Sequence, residues 1–118
     1  MKYIVYRLND LQYATPIEEI QSIERLLPIR PVPDSVNHEL GVSDLRDAVI
    51  SIQDLRIKLG LEPIPFGRET RLLVANGIGY VVDAALDVVD VEDTGWEMAA
   101  GRRVWRREDT LVLENHLR

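Results

Sequence analysis

The chain has 118 residues, no cysteine, 29% charged residues and a formal net charge of −6 from 14 basic and 20 acidic side chains. This length fits one domain spanning residues 1–118, and 46% hydrophobic residues supply the core that a disordered chain lacks. The lack of cysteine excludes a disulfide framework, thiolate zinc sites and a cysteine nucleophile, and suits a cytoplasmic location. The acidic balance argues against a general nucleic-acid binder. Arg7 interrupts the opening apolar stretch and no long apolar run follows, so neither a signal peptide nor membrane insertion is expected.

The elements read as short strands between turns. Residues 2–8 alternate as a first strand, Asn9-Asp10 turns the chain, and Leu11 to Ala14 return as a hairpin. Thr15-Pro16 reads as the cap and first position of a helical turn, with Glu18 and Glu19 at its positive end and Ile17 and Ile20 facing inward. Residues 22–27 are extended, and Pro28, Pro31 and Pro33 stiffen the connector that follows. Residues 47–52 form the most strand-like central segment. Residues 54–60 then predict a short helix that starts at Asp54 and stops at Gly60. A loop over 61–69 precedes the clearest hairpin, Arg71–Ala75 and Ile78–Asp83 around Asn76-Gly77. Residues 84–91 run on as apolar positions between acids, Gly95 to Gly101 reads as a turn, and Val104-Trp105 and Leu111–Leu113 are late strands. About eight or nine strands and two helical turns predict a small barrel or a pair of barrels.

The residues that could carry chemistry are few. His38 and His116 lack ligand spacing and read as solvated surface groups. Asp83, Asp87, Asp90, Glu92, Asp93 and Glu97 are interrupted by apolar residues. This is unlike a calcium loop, so they read as the wet side of half-buried structure and no metal is expected. Gly77 and Gly79 lie in a hairpin with no helix after them, so they form no phosphate cradle, and Ser35, Ser43 and Ser51 lack a nucleophile elbow. Catalysis and cofactors are therefore not expected. Arg102-Arg103-Val104-Trp105-Arg106-Arg107 could stack and charge-pair with single-stranded nucleic acid, but reads more simply as a hairpin whose arginines pair with the acidic series.

Four segments in series resemble the CheW-like domain, the scaffold of bacterial chemotaxis arrays. Tyr3-Ile4-Val5-Tyr6-Arg7-Leu8 with Tyr13-Ala14-Thr15-Pro16-Ile17-Glu18-Glu19-Ile20-Gln21-Ser22-Ile23 is similar to that family's first hairpin and short helical turn. Gly41-Val42-Ser43-Asp44-Leu45-Arg46-Asp47-Ala48-Val49-Ile50-Ser51-Ile52-Gln53-Asp54-Leu55-Arg56 resembles its signature. Asp44 stands in place of the usual asparagine, Asp47 of the usual glycine and Ser51 of the usual proline. Gly79-Tyr80-Val81-Val82-Asp83 with Val88, and Leu111-Val112-Leu113-Glu114, are similar to the later segments. The stretch between Val91 and Leu111 is shorter than usual in the family, which implies a trimmed second barrel.

The resemblance implies a mainly β fold: two small SH3-like five-stranded β-barrel subdomains sharing a core, with one or two short helices and no catalytic centre. It implies an adaptor that couples a chemoreceptor's cytoplasmic tip to the regulatory domain of a CheA-type histidine kinase, with self-association or ring formation left open. Carried over residue by residue, the groove for the receptor comprises Ile20, Ser22, Gly41, Arg46, Gly79 and Val88. Ile20 and Val88 read equally as core, and Gly41 and Gly79 as backbone geometry. Arg46 is either a partner contact or one half of a local pair with Asp44 or Asp47. The altered signature keeps a second reading open, a CheW-like module serving another signalling system. A nucleic-acid-binding barrel is a third.

Overall fold

The first strand is apolar on both faces, and a strand of that kind must lie between two layers. In the computed structural model, which describes residues 1–118, β1 (Lys2–Leu8) buries Tyr3 and Val5 in one core cluster and Ile4, Tyr6 and Leu8 in another. The chain then adds β2 (Leu11–Pro16), a 3-10 turn (Ile17–Glu19), β3 (Ser22–Arg25), β4 (Glu39–Leu45), β5 (Ala48–Asp54) and the helix α1 (Leu55–Lys58). It continues with β6 (Arg71–Ala75), β7 (Ile78–Val82), β8 (Ala84–Asp90), a second 3-10 turn (Asp93–Gly95), β9 (Trp96–Ala99), β10 (Arg102–Arg107) and β11 (Thr110–Glu114).

Two curled sheets result. One has five strands in the order β3-β6-β7-β5-β4, the other six in the order β8-β1-β2-β11-β10-β9. The fold is mainly β with two SH3-like halves, as expected, although one sheet has six strands and neither closes by a continuous ladder. In the five-stranded half the edges are drawn together by the single bridge Arg30↔Val42 and by Arg46 on Glu24. In the other half, Arg107 of β10 reaches Asp87 of β8 at 2.6 Å.

Strand alternation assigns each side chain to one of three apolar clusters. Ile50, Ile52, Leu72, Val74 and Val81 fill the five-stranded half; Tyr3, Val5, Ala14, Val91 and Val112 fill the six-stranded half. Between the sheets lies a shared layer that includes Ile4, Tyr6, Leu8, Tyr13, Leu55, Leu73, Tyr80, Val82 and Leu117. One mouth of this layer is closed by the last residues. Leu117 is buried there, and its N–H donates to the Glu19 carboxylate at 2.8 Å, beside His116 Nδ1 at 2.6 Å.

Several expectations need correction. β4 is not among the expected strands, since Gly41, Ser43 and Asp44 are poor strand formers. It forms because Gly41 and Ser43 are buried against β5. Gly95 to Gly101 is not simply a turn, since Trp96–Ala99 makes an edge strand on β10. The stretch before Leu111 is thus long enough for two strands, and the second half is not trimmed. Thr15 caps nothing. It lies within β2, and its hydroxyl donates to the Asn115 carbonyl at 2.6 Å and shares a hydrogen bond of 2.8 Å with the Tyr6 hydroxyl. Ile17 is 38% exposed instead of inward-facing. His116 is held between Glu19 and Glu114, and Asp83 is buried.

Tyr6 reports on the integrity of the shared layer. Burial pushes its phenol up to about 12, against the hydrogen bonds from Thr15 and Asn115 that favour its ionised form. The folded value lies above the ordinary 10.0, so the unfolded chain loses this proton first and stability declines as pH rises from about 10 to about 12. In an absorbance titration of the tyrosines one is expected to ionise last, coincident with loss of the β circular-dichroism signal. Tyr6→Phe is expected to remove that last step. A late step that persists in Tyr6→Phe would refute the assignment.

Candidate partner-binding groove

The mouth of the shared layer opposite the C-terminal tail stays open, and its two walls come from different sheets. On the six-stranded side, β8 pairs with β1 so that Val88 opposes Ile4 and shares its face, yet remains 49% exposed at the sheet edge. A register shift between Val5 and Tyr6 leaves Leu86 without a partner across the ladder, and it too is exposed. On the five-stranded side, Ile23 of β3 opposes Leu73 of the shared core and is 41% exposed. Ile20, half-buried, packs against the shared layer, next to the 3-10 turn that carries Ile17. A cavity of about 210 Å³ lies between the walls, lined by Glu69 and Arg71 from one side and Ala84, Ala85 and Leu86 from the other. A partly exposed apolar furrow of this kind suits an apolar stripe on a helix.

The six carried-over residues do not all meet in this groove. Ile20 and Val88 border it. Ser22 and Arg46 come together at the edge of the five-stranded half through Glu24, whose carboxyl is held below the ordinary carboxylate range by Ser22 and then by the Arg46 guanidinium at 2.9 Å. Arg46 therefore pairs with neither Asp44 nor Asp47. Asp44 is taken by Arg30 at 2.7 Å, and Asp47 shares the strained tip of the β4–β5 hairpin, with φ of 48° at Arg46 and 23° at Asp47. Gly41 and Gly79 lie inside the five-stranded half. A Cβ on Gly41, at φ 141°, would stand 2.1 Å from the Arg30 carbonyl oxygen, and one on Gly79 would stand 3.0 Å from Ile52 Cδ1. Their role here is close packing of strands. Ile23 and Leu86 were not among the six. Period-two alternation at the two sheet edges is the signal that finds them.

The walls are held in relation by a buried ionic network. Asp54 caps α1 through the Arg56 N–H at 3.0 Å and receives Arg56 Nε at 2.9 Å and Nη2 at 2.8 Å. Arg56 Nη1 donates to Asp83 at 2.7 Å and to the Ile64 carbonyl, and the other Asp83 oxygen accepts the Asn9 N–H at 2.6 Å. Arg56 is only 1% exposed, and the hydrogen bonds it donates to Asp54 hold it charged despite burial, with its pKa raised. Sequence reading missed this arginine. Asp83, closing the apolar run Ile78–Val82, was the clue, because a carboxylate in such a run needs a buried partner.

No three His, Asp or Glu side chains are grouped closely enough to hold a metal ion. In the arginine cluster, Arg107 pairs with Asp87, Arg103 with Glu114 at 3.6 Å and over the Trp96 ring, and Arg102 lies over Tyr13. Both tryptophans of this half pack on its apolar cluster, so Trp105 is not a free stacking platform.

Comparison with known proteins agrees with this architecture. A family model described as CheW-like domain matches residues 2–108. The chain is 32% identical over 102 residues to the chemotaxis protein CheW of Bacillus subtilis and 30% identical over 98 residues to that of Helicobacter pylori. These matches cover 83% and 80% of this chain but 65% and 59% of those proteins, so the chain spans less than two thirds of their length. Among solved structures, the scaffolding protein TtCheW of Thermoanaerobacter tengcongensis superposes with a TM-score of 0.87 over 96% of this chain and 86% of that one, at 17% identity. That likeness is one of fold.

Two substitutions test the geometry. Arg56→Met leaves Asp54 and Asp83 buried without their cation and is expected to cost about 3–5 kcal/mol in urea unfolding. A loss under about 1 kcal/mol would mean that the network holds little. Gly41→Ala is expected to lower the thermal midpoint, since the connector at Arg30 must move to admit the methyl group. An unchanged midpoint with altered partner binding would return Gly41 to the groove.

Proposed function

This chain belongs to the CheW-like domain family, and from that premise we propose that residues 1–118 act as one non-catalytic adaptor domain. It couples the helical cytoplasmic tip of a chemoreceptor to the regulatory domain of a CheA-type histidine kinase. The observation that carries the reading is the open apolar furrow between the sheets, bordered by Ile20, Ile23, Leu86 and Val88. The receptor helix lays its apolar stripe there, and the energy comes from burying those side chains at about 25 cal/mol per Å². The kinase domain binds elsewhere, on the six-stranded half. None of the helices of this chain is long and apolar enough to cross a membrane, and the proposed place of action is the cytoplasm beneath the receptor. The engagement of Arg46 by Glu24 supports a second reading, a module of this family that serves a different kinase.

Calorimetric titration against the two candidate partners from the same genome tests this. Saturable binding of a receptor-tip fragment and of the kinase regulatory domain is expected in the micromolar range, about −8 kcal/mol. Val88→Asp is expected to weaken the receptor fragment at least tenfold and leave the kinase domain unaffected. Receptor binding without kinase binding would favour the second reading, and absence of both would sink the adaptor.

A further inference from the structure

At the open mouth of the groove two arginines stand against each other. Arg25 of β3 lies directly opposite Arg71 of β6 in antiparallel register. Two residues earlier, Ile23 opposes Leu73 of the shared core, so strand alternation puts both arginines on the face that borders the groove. Arg71 also lines the cavity that β8 completes with Ala84, Ala85 and Leu86.

Like charges directly opposite on a ladder destabilise it, and proteins usually neutralise such a pair. This one is left uncompensated. None of the eleven ion pairs of the chain includes Arg25 or Arg71. Arg71 Nη1 donates to the carbonyls of Arg68 and Thr70 at 2.8 and 2.9 Å, which orients the guanidinium without neutralising it. Glu69, the carboxylate lining the same cavity, is paired with Arg7 at 3.3 Å. On β8, Asp87 is paired with Arg107 and Asp90 with the amino terminus. Seven of the 14 basic side chains take part in no ion pair, and Arg25 and Arg71 are the two of these that lie opposite each other on a ladder.

We propose that Arg25 and Arg71 together seat one carboxylate of the helix that enters the groove. The inference rests on the groove reading above and deepens it. The occupant is an amphipathic α-helix whose apolar stripe meets Ile23, Leu86 and Val88 and whose flank carries an Asp or Glu. Cross-strand neighbours lie about 4.5–5.5 Å apart at Cβ, within reach of a shared carboxylate, and two charge-assisted hydrogen bonds fix its position. The pair thus selects which helix binds and in which register, since a helix presenting Lys or Arg there is repelled.

The test uses the whole chain and a soluble receptor-tip fragment from the same genome, titrated at low and at physiological salt. Arg25→Glu is expected to weaken binding at least tenfold and to flatten its salt dependence, and an acidic-to-Lys change on the fragment's flank restores affinity to that variant alone. Arg25→Gln is expected to weaken binding while the thermal midpoint holds or rises, because repulsion is relieved. A residue needed only for folding would lower it. If Arg25→Glu and Arg71→Glu bind with unchanged affinity and salt slope while Val88→Asp does not bind, the carboxylate seat is overturned and the groove survives. If Val88→Asp binds like the unaltered chain, the groove reading itself falls and the seat falls with it.

Discussion

The relation between the two sheets depends on one buried cation. Arg56 sits on a helix only four residues long, yet its guanidinium joins the end of β5, the loop that carries Ile64, and Asp83 at the passage from one sheet to the other. Through Asp83 the same network reaches the β1–β2 turn at Asn9, so both sheets are tied to a single charged centre. A buried ion pair often contributes little beyond an apolar substitute of equal volume. Its consequence here is directional. The planar guanidinium donates four hydrogen bonds to two carboxylates and a carbonyl, and only one arrangement of the five elements satisfies them all.

The open groove follows from that arrangement. Between β7 and β8 only Asp83 intervenes, and the chain crosses there from the five-stranded to the six-stranded sheet. A connection so short keeps β8 close to β6 but at an edge, where no further strand covers Leu86 and Val88. The opposite mouth is filled by Leu117 and fastened by Glu19, His116 and Asn115. One side of the shared layer is therefore closed by the chain itself, and the other is left apolar and accessible.

Much of the fold was legible because its strongest signals are local. The alternation of β1, the Asn76-Gly77 turn with φ of 54° and 73°, and the Asp54 cap each need only neighbouring residues. What the sequence concealed depends on partners far along the chain. β4 lacks strand formers and exists through its pairing with β5. β9 exposes three of its four residues and exists through β10. The network of Arg56 is not readable locally because its partner Asp83 is 27 positions away. Of the six residues that the resemblance implies, Ile20 and Val88 lie beside the furrow while Gly41 and Gly79 turn inward, because a motif marks positions without saying which face they take.

The departures from the family signature act on the hairpin tip and leave the groove floor untouched. Asp44 holds Arg30, which also bridges to Val42, and this binds the proline-rich connector to β4. Asp47 takes a left-handed conformation that glycine would adopt at no steric cost, so the tip carries strain that its contacts must hold. Arg46 supplies the principal one, through Glu24 on the opposite edge of the same sheet. Arg46 joins those edges and is still 71% exposed, so its pair with Glu24 leaves it accessible to a partner. Among the arginines that no carboxylate pairs, Arg25 and Arg71 are the two at the groove, and the proposed recognition by charge falls to them.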